Sequence, residues 1–442
     1  AESILDRSAR IFVNGEEKSL DDETRQKWME RNDELSEQGL RVLAYAYKNS
    51  REISHESKGK TKAFMSDLVF IGLTGFLDPP REHVSESIKL CRDAGIEVIM
   101  VTGDHPGTAK NIAEKVKLAD DGEIFVMHGS ELQKDVENKK DLDEKILKTN
   151  VFSRVDPKQK LDIVDHYQDH GAIVGMTGDG VNDAPALKKA NIGIAMGKRG
   201  TQVAQEVADM VLQDDAFASI VRAIKQGRII FGNIRKFIIY QLSYHLSEIL
   251  VIASISFSLF YLPLLPLQLL FLNLLSDVFP ALALGIGKGH PDVMKRPPKN
   301  PEEPILGKSH WIMIGIYAII LTVFIDGAYF YAYYAWDYSK EICNNVAFFS
   351  LAFAQLLHVL DMREANEHIF RNQVTRNKYI WMALGLCFSV LIAAYLIPGL
   401  SNILSFHSLD TRVWILIIIA SIAPVITAQI VKELSKKRDY TF

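Results

Sequence analysis

The sequence predicts two unlike halves: an α/β half built on a parallel sheet, followed by an all-α membrane half of six transmembrane helices. Three observations carry that division. Up to about Ile220, charged helices alternate with short apolar strands, the pattern of a parallel sheet covered by helices. From about Asn233 onward the chain becomes a series of apolar runs with sparse charges. Lysine and arginine then collect in every second connection between those runs. The net charge of -4 averages over both halves and says little, and no nucleic-acid partner is expected. The 442 residues suffice for two or three domains. Cys91, Cys343 and Cys387 have neither disulfide nor zinc-site spacing and read as structural. The chain opens on Ala1 with no signal-peptide pattern, which suggests a piece of something larger.

Within the α/β half, "EVIMVTGDHPGTAKNIAEKV" predicts a buried strand, a tight turn at Thr102-Gly103-Asp104 and an amphipathic helix. "GAIVGMTGDGVNDAPALKKA" repeats that plan, with Asp179, Asn182 and Asp183 on its glycine turn. In a parallel sheet both turns fall at the C-terminal ends of strands, where ligands bind. The first offers the Thr102 hydroxyl and backbone N–H groups to a phosphate at a helix N-terminus. The second offers Asp179 to Mg2+, with Asn182 and Asp183 completing its surroundings or orienting water. Between them, "SRVDPKQK" places Lys160 early in a helix, where it can neutralise phosphate charge. A lone TGD or a lone lysine is weak. Three polar side chains on one glycine turn have little packing purpose, and the three pieces in this order point to phosphoryl transfer.

Six apolar runs approach the roughly 20 residues needed to cross a bilayer. They lie near 234–259, 264–286, 310–335, 344–361, 378–398 and 412–431. Lys288, Lys295, Arg296, Lys299 and Lys308 follow the second run. Arg363, Arg371, Arg376 and Lys378 follow the fourth, and Lys432, Lys436, Lys437 and Arg438 the sixth. The alternate connections carry only Lys340 and Arg412, so the soluble half and the C-terminus are expected on the cytoplasmic side of a multi-pass protein in a lipid bilayer. The first run places His245 and Glu248 one turn apart; the second stacks Asn273 and Asp277 on one face beside Ser276, and Pro280 frees a carbonyl one turn back. Carboxylates, an amide and freed carbonyls are hard ligands suited to a cation. Gln355 and His358 in the fourth run are further candidate ligands; Asp326 in the third could line the pathway, sit near the outer interface or pair with a neighbouring helix, and the structural reading is favoured.

These residues, in this order and followed by six spans, resemble the C-terminal half of a P-type cation-transporting ATPase. "FLDPPR", "VTGD", "DPKQK", "TGDGVNDAPALKKANIGIAMG" and "DVMKRPPKNPEEPILG" look most like the calcium-pump branch. The resemblance implies that 1–66 is the end of a nucleotide-binding domain and that 67–227 is most of a phosphorylation domain, a haloacid-dehalogenase-like Rossmann fold. It implies that 228–442 holds the fifth to tenth membrane helices. By the same likeness Thr102 and Gly103 would contact the transferred phosphate, Lys160 would stabilise its charge and Asp179 would hold Mg2+. Asn182 and Asp183 would support the phosphate–metal cluster, and Arg41, Asp104 and Arg154 would contact ATP. Glu248, Asn273, Ser276 and Asp277 match the calcium pump's ion ligands. His245 stands where that pump has asparagine and Gln355 where it has glutamate, so a single-calcium pump, or one for Na+, K+ or H+, is the alternative to a two-calcium one.

The family's phosphorylated aspartate lies in a DKTGT sequence, which does not occur here, nor does its TGE loop. The nucleophile is therefore expected in an N-terminal part of the same pump, together with the actuator domain and the first four helices. Alone, the chain is not expected to form a phosphoenzyme. Two further readings stay open: a membrane-anchored phosphatase using Asp78 of "FLDPP", and a non-catalytic partner subunit.

Overall fold

A computed structural model describes residues 1–49, 65–76, 79–120, 123–132, 139–259, 261–364 and 367–436. Asp78, Lys437 and Arg438 lie outside the described residues. Two compact units divide the chain: residues 1–223 with 294–298, and 224–293 with 299–442.

The first unit opens with a four-stranded sheet in the order β2-β1-β4-β3, from β1 (Ser8–Val13), β2 (Glu16–Ser19), β3 (Arg41–Tyr47) and β4 (Leu68–Phe76). The β1–β2 hairpin turns through Asn14 and Gly15, both at positive φ (54° and 87°), as a tight hairpin of the right twist requires. Helix α1 (Glu2–Leu5) precedes the sheet, and α2 (Asp22–Glu37) packs Trp28 and Met29 onto Leu5, Ile11, Leu20 and Phe70. Asp21 caps α2 by accepting the Thr24 N–H at 2.8 Å. Strand β4 runs parallel to β1 and antiparallel to β3, so its backbone groups are satisfied inside the N-terminal sheet.

Two three-stranded parallel sheets follow. One has the order β5-β7-β6, from β5 (Met100–Val101), β6 (Val126–His128) and β7 (Val151–Ser153). The other has the order β10-β9-β8, from β8 (Gly175–Gly178), β9 (Ile192–Met196) and β10 (Met210–Leu212). Helices α3 (Val84–Asp93), α4 (Pro106–Lys115), α5 (Lys139–Lys148), α6 (Pro157–Asp169), α7 (Ala184–Lys189) and α8 (Gln202–Val207) alternate with them. The strand expected across residues 97–101 is only two residues long as β5. Pairing with β7 nonetheless runs past it, because Thr102 N–H donates to the Phe152 carbonyl at 2.8 Å.

All six expected spans are present as helices long and apolar enough to cross a membrane. They are α9 (Phe217–Leu259), α10 (Pro266–Gly285), α11 (Lys308–Phe330), α12 (Lys340–His358), α13 (Lys378–Leu396) and α15 (Thr411–Lys436), with the short α14 (Pro398–Ile403) before the last. Helix α9 begins well before the expected start at 234, because residues 217–233 and the apolar run after them form one 43-residue helix. Helix α11 runs on through a π-turn at Tyr331–Ala335, and α12 through a 3-10 turn at Val359–Met362. In α12, 83% of the span is buried, against 28–39% in the other five, so it forms the centre of the bundle. Its polar residues are accordingly enclosed by protein: Asn344, Asn345, Ser350, Gln355 and His358 are all buried. Asn344 exchanges hydrogen bonds with Gln268 (2.8 and 3.1 Å) and donates to the Pro263 carbonyl (2.6 Å), tying α12 to the start of α10.

Candidate phosphate and cation sites

The structure stitches together the three loops in which the sequence places phosphate chemistry. Strand β5 ends at Val101 and releases Thr102, Gly103 and Asp104 before α4. Thr102 Oγ1 donates to Asp104 Oδ2 at 3.0 Å and accepts the Asp104 N–H at 3.1 Å, closing the turn on itself. Gly103 faces open space where a Cβ would stand. The Arg154 N–H donates to the Asp104 carbonyl (3.2 Å) and the Val155 N–H to the Thr102 carbonyl (3.1 Å), joining the loop after β7 to the loop after β5. Asp156 then caps α6, accepting the Gln159 N–H at 2.8 Å, and one turn on, Lys160 points its Nζ to Asp183 Oδ1 at 2.6 Å.

Asp183 is the fixed point of the loop after β8. Its Oδ1 takes Lys160, and its Oδ2 accepts the N–H groups of Asp179 (3.3 Å) and Gly180 (3.1 Å). Both partners of the ion pair are largely buried, with side chains 17% and 10% exposed. A Cβ on Gly178 would stand 2.5 Å from Asp183 Cβ, which is why glycine occupies that position. Asp179 and Asn182 are exposed, and neither side chain has a hydrogen-bond partner among the described residues. Asp179 is thus the free oxygen donor of the loop, while Asp183 is committed to holding Lys160 and the turn.

Sequence reasoning passed over Asp215. It follows β10 at a φ of 52°, is buried, and accepts the N–H groups of Lys198 (2.9 Å) and Arg199 (3.0 Å). Those hydrogen bonds hold its carboxyl below the ordinary carboxylate range. The loop so gripped leads to Thr201, whose N–H donates to the Asp179 carbonyl at 2.8 Å. The signal available was the Asp214-Asp215 pair just after an apolar strand, a common capping arrangement. Of the expected nucleotide contacts, Asp104 and Arg154 lie together in the stitched loops. Arg41 stands exposed at the start of β3, and its side chain makes no hydrogen bond or ion pair among the described residues.

In the membrane unit, His245 lies between two acids from different helices. Its Nδ1 is 3.7 Å from Glu248 Oε2 on α9, and its Nε2 is 3.6 Å from Asp277 Oδ1 on α10. Glu248 Oε2, Asp277 Oδ1, Asn273 Oδ1 and both polar atoms of Gln355 are buried with no hydrogen-bond partner. Ser276 instead donates to the Leu272 carbonyl of its own helix at 3.0 Å. Among the described residues, no set of three or more His, Cys, Asp or Glu side chains is arranged to hold a metal ion, so the described carboxylates and histidines alone do not complete a cation cage. His358 is engaged elsewhere, with Nδ1 2.9 Å from Asp361 Oδ2 and its ring against Tyr240 and Tyr317. Asp326 Oδ2 accepts a hydrogen bond from Ser254 of α9 at 2.6 Å, while its Oδ1 is buried with no hydrogen-bond partner.

Comparison with known proteins covers nearly all of the chain. Residues 261–434 match the family described as "Cation transporting ATPase, C-terminus". Residues 1–83 match "P-type ATPase, cytoplasmic domain N", a range that takes in all four strands of the first sheet. A calcium-transporting ATPase of Bacillus cereus is 37% identical over 99% of this chain and 50% of its own length. One from Listeria monocytogenes is 39% identical over 98% of the chain and 48% of its own length. A sodium/potassium-transporting ATPase alpha subunit of Drosophila melanogaster is 34% identical over 93% and 46%. The chain spans about half the length of the curated relatives it matches.

Proposed function

Since the chain belongs to the P-type cation-transporting ATPases, we propose that it supplies the phosphate-handling loops and the cation site of an ATP-driven pump, with Ca2+ as the favoured cargo. One observation carries this reading: Glu248 and Asp277 approach His245 from adjacent spans, with a carboxylate oxygen of each buried and without a hydrogen bond. Such groups inside a membrane are expensive and mark ion pathways. Carboxylate and amide oxygens are hard donors that suit Ca2+, and relatives bearing the name calcium-transporting ATPase support that cargo. Asn273 and Ser276 would complete the cage with backbone carbonyls. Two carboxylates balance one divalent ion, whereas His245 and Gln355 add no negative charge, so the stoichiometry proposed is one Ca2+.

For the soluble half we propose a haloacid-dehalogenase-like Rossmann domain, supported by parallel strands whose loops with phosphate-binding residue types all follow C-terminal strand ends. Thr102 and the Gly103 N–H would receive the transferred phosphate, and Lys160 would neutralise its charge. The free carboxylate of Asp179 would hold Mg2+, with Asn182 beside it; Asp183, its oxygens already engaged, would position Lys160 next to the ion. Bound Mg2+ would supply charge neutralisation at the phosphate oxygens. Arg41, Asp104 and Arg154 would contact ATP. The aspartate nucleophile would come from the N-terminal part of the same pump, with its DKTGT sequence, actuator domain and first four helices. The loop charges support a cytoplasmic soluble half and C-terminus.

Phosphoenzyme formation from ATP in the complete protein, titrated against Ca2+, Na+, K+ and pH, tests this. Saturable dependence on Ca2+ with a Hill coefficient near one is the expected result. Equal phosphorylation with every cation, or with none, would overturn the reading.

A further inference from the structure

Arg154 stands just after β7 with a φ of 52°, in the left-handed region that side-chain-bearing residues rarely occupy. Its backbone is held there by the bond from its N–H to the Asp104 carbonyl. Gly129 fits so closely against it that a Cβ at 129 would lie 2.5 Å from the Arg154 carbonyl oxygen. Unusual backbone kept in place by this much surrounding structure collects at ligand sites. The side chain reaches into the N-terminal part of the chain. Its Nη2 donates to both carboxylate oxygens of Glu2, at 3.3 and 3.2 Å. The same carboxylate is 3.7 Å from His105 Nε2, and that nitrogen is also 3.7 Å from Asp33 Oδ1. Glu2 and Asp33 belong to α1 and α2, whereas Arg154 and His105 belong to the stitched loops after β7 and β5.

We infer that Glu2 is a latch on the nucleotide site: its carboxylate competes with ATP phosphates for the Arg154 Nη2 donor and gives it up when they bind. The inference rests on the assignment of Arg154 to nucleotide binding. Carboxylate and phosphate draw on the same guanidinium donors, so ATP cannot take the Nη2 donor while both Glu2 oxygens hold it. Both side chains are 39% exposed, which leaves the pair screened by water and weak enough to exchange. His105, beside the same carboxylate, remains as a neighbour to Glu2 once Arg154 has turned to the nucleotide. Glu2 is in these terms a positioning residue that touches ATP through Arg154.

ATP binding to the complete protein, measured by isothermal titration calorimetry, tests the latch in three variants. Glu2→Gln is expected to bind ATP roughly twofold to fivefold more tightly, the range that the worth of a half-exposed ion pair converts to. Arg154→Ala is expected to bind more weakly, and Glu2→Gln is expected to change nothing further in the Arg154→Ala background. A merely structural role for Glu2 would survive in that background, so a persisting effect overturns the latch. It is equally overturned if Glu2→Gln binds ATP no more tightly than the parent while Arg154→Ala binds it more weakly. Should Arg154→Ala bind ATP like the parent, the nucleotide assignment of Arg154 itself fails, and the latch with it.

Discussion

The acids of the loop after β8 and those of the membrane spans are handled in opposite ways. Asp183 is buried with every oxygen engaged, by Lys160 and by two backbone N–H groups. Glu248 and Asp277 are set in an apolar bundle, each with a buried oxygen lacking a hydrogen-bond partner. The first arrangement is self-sufficient: fold and charge balance are complete before any ligand arrives, and Asp179 is left over to meet one. The second, on the function proposed above, is left open for a ligand, because carboxylates satisfied internally would have nothing to offer a cation. The difference teaches that burial of an acid does not by itself distinguish support from binding. Asp326 stands between the two cases, with one oxygen on Ser254 and the other buried without a hydrogen bond.

That contrast breaks most visibly at Asp183. Asp183→Ala would leave the Lys160 ammonium enclosed without its counter-ion and the turn without its acceptor. A destabilisation of about 3–5 kcal/mol is expected, read as a lowered midpoint of the soluble unit's unfolding transition in the purified protein. Asp277→Asn should do the reverse. Since Asp277 Oδ1 makes no hydrogen bond, stability should move by under about 1 kcal/mol. Cation-dependent phosphorylation by ATP in the complete protein should be abolished. If Asp277→Asn unfolds the protein and leaves cation dependence unchanged, Asp277 is a structural acid and the contrast collapses.

Much of this was legible in the sequence, for reasons specific to each element. The six spans could be read because a helix that crosses a bilayer must be long and apolar whatever its neighbours do. The loops of Thr102 and Asp179 could be read because glycine turns after apolar strands leave polar residues few other uses. Pairing partners were not legible. Strand β4 looks like the start of the second soluble domain until its hydrogen bonds to β1 and β3 are seen, since a strand's sequence does not name the sheet it joins. His245 was expected beside Glu248 through helical spacing, but its approach to Asp277 depends on how two helices pack. Asp183 was grouped with Asp179 as a metal neighbour, and only its three hydrogen bonds separate their roles.

Asp215 sharpens the comparison with the smallest expected effect. Its carboxyl is held below the ordinary carboxylate range first by the Lys198 N–H, with the Arg199 N–H helping and burial opposing. A carboxyl whose value is lower in the folded chain than in the unfolded one binds fewer protons when folded. The stability it contributes is therefore complete above the ordinary carboxylate range of about pH 4. It is lost as pH falls through the lower, folded value, when the protonated acid can no longer serve both N–H groups as an ion. In Asp215→Asn the acid-side decline of the soluble unit's unfolding temperature should be shallower, while the value near neutrality falls slightly. An acid limb as steep as the parent's would mean that other carboxylates govern it and that the grip on the 198–201 loop is not charge-dependent. The membrane acids offer a built-in control, because their buried oxygens accept no hydrogen bond and make no such grip, and Asp277→Asn should leave this acid limb unchanged.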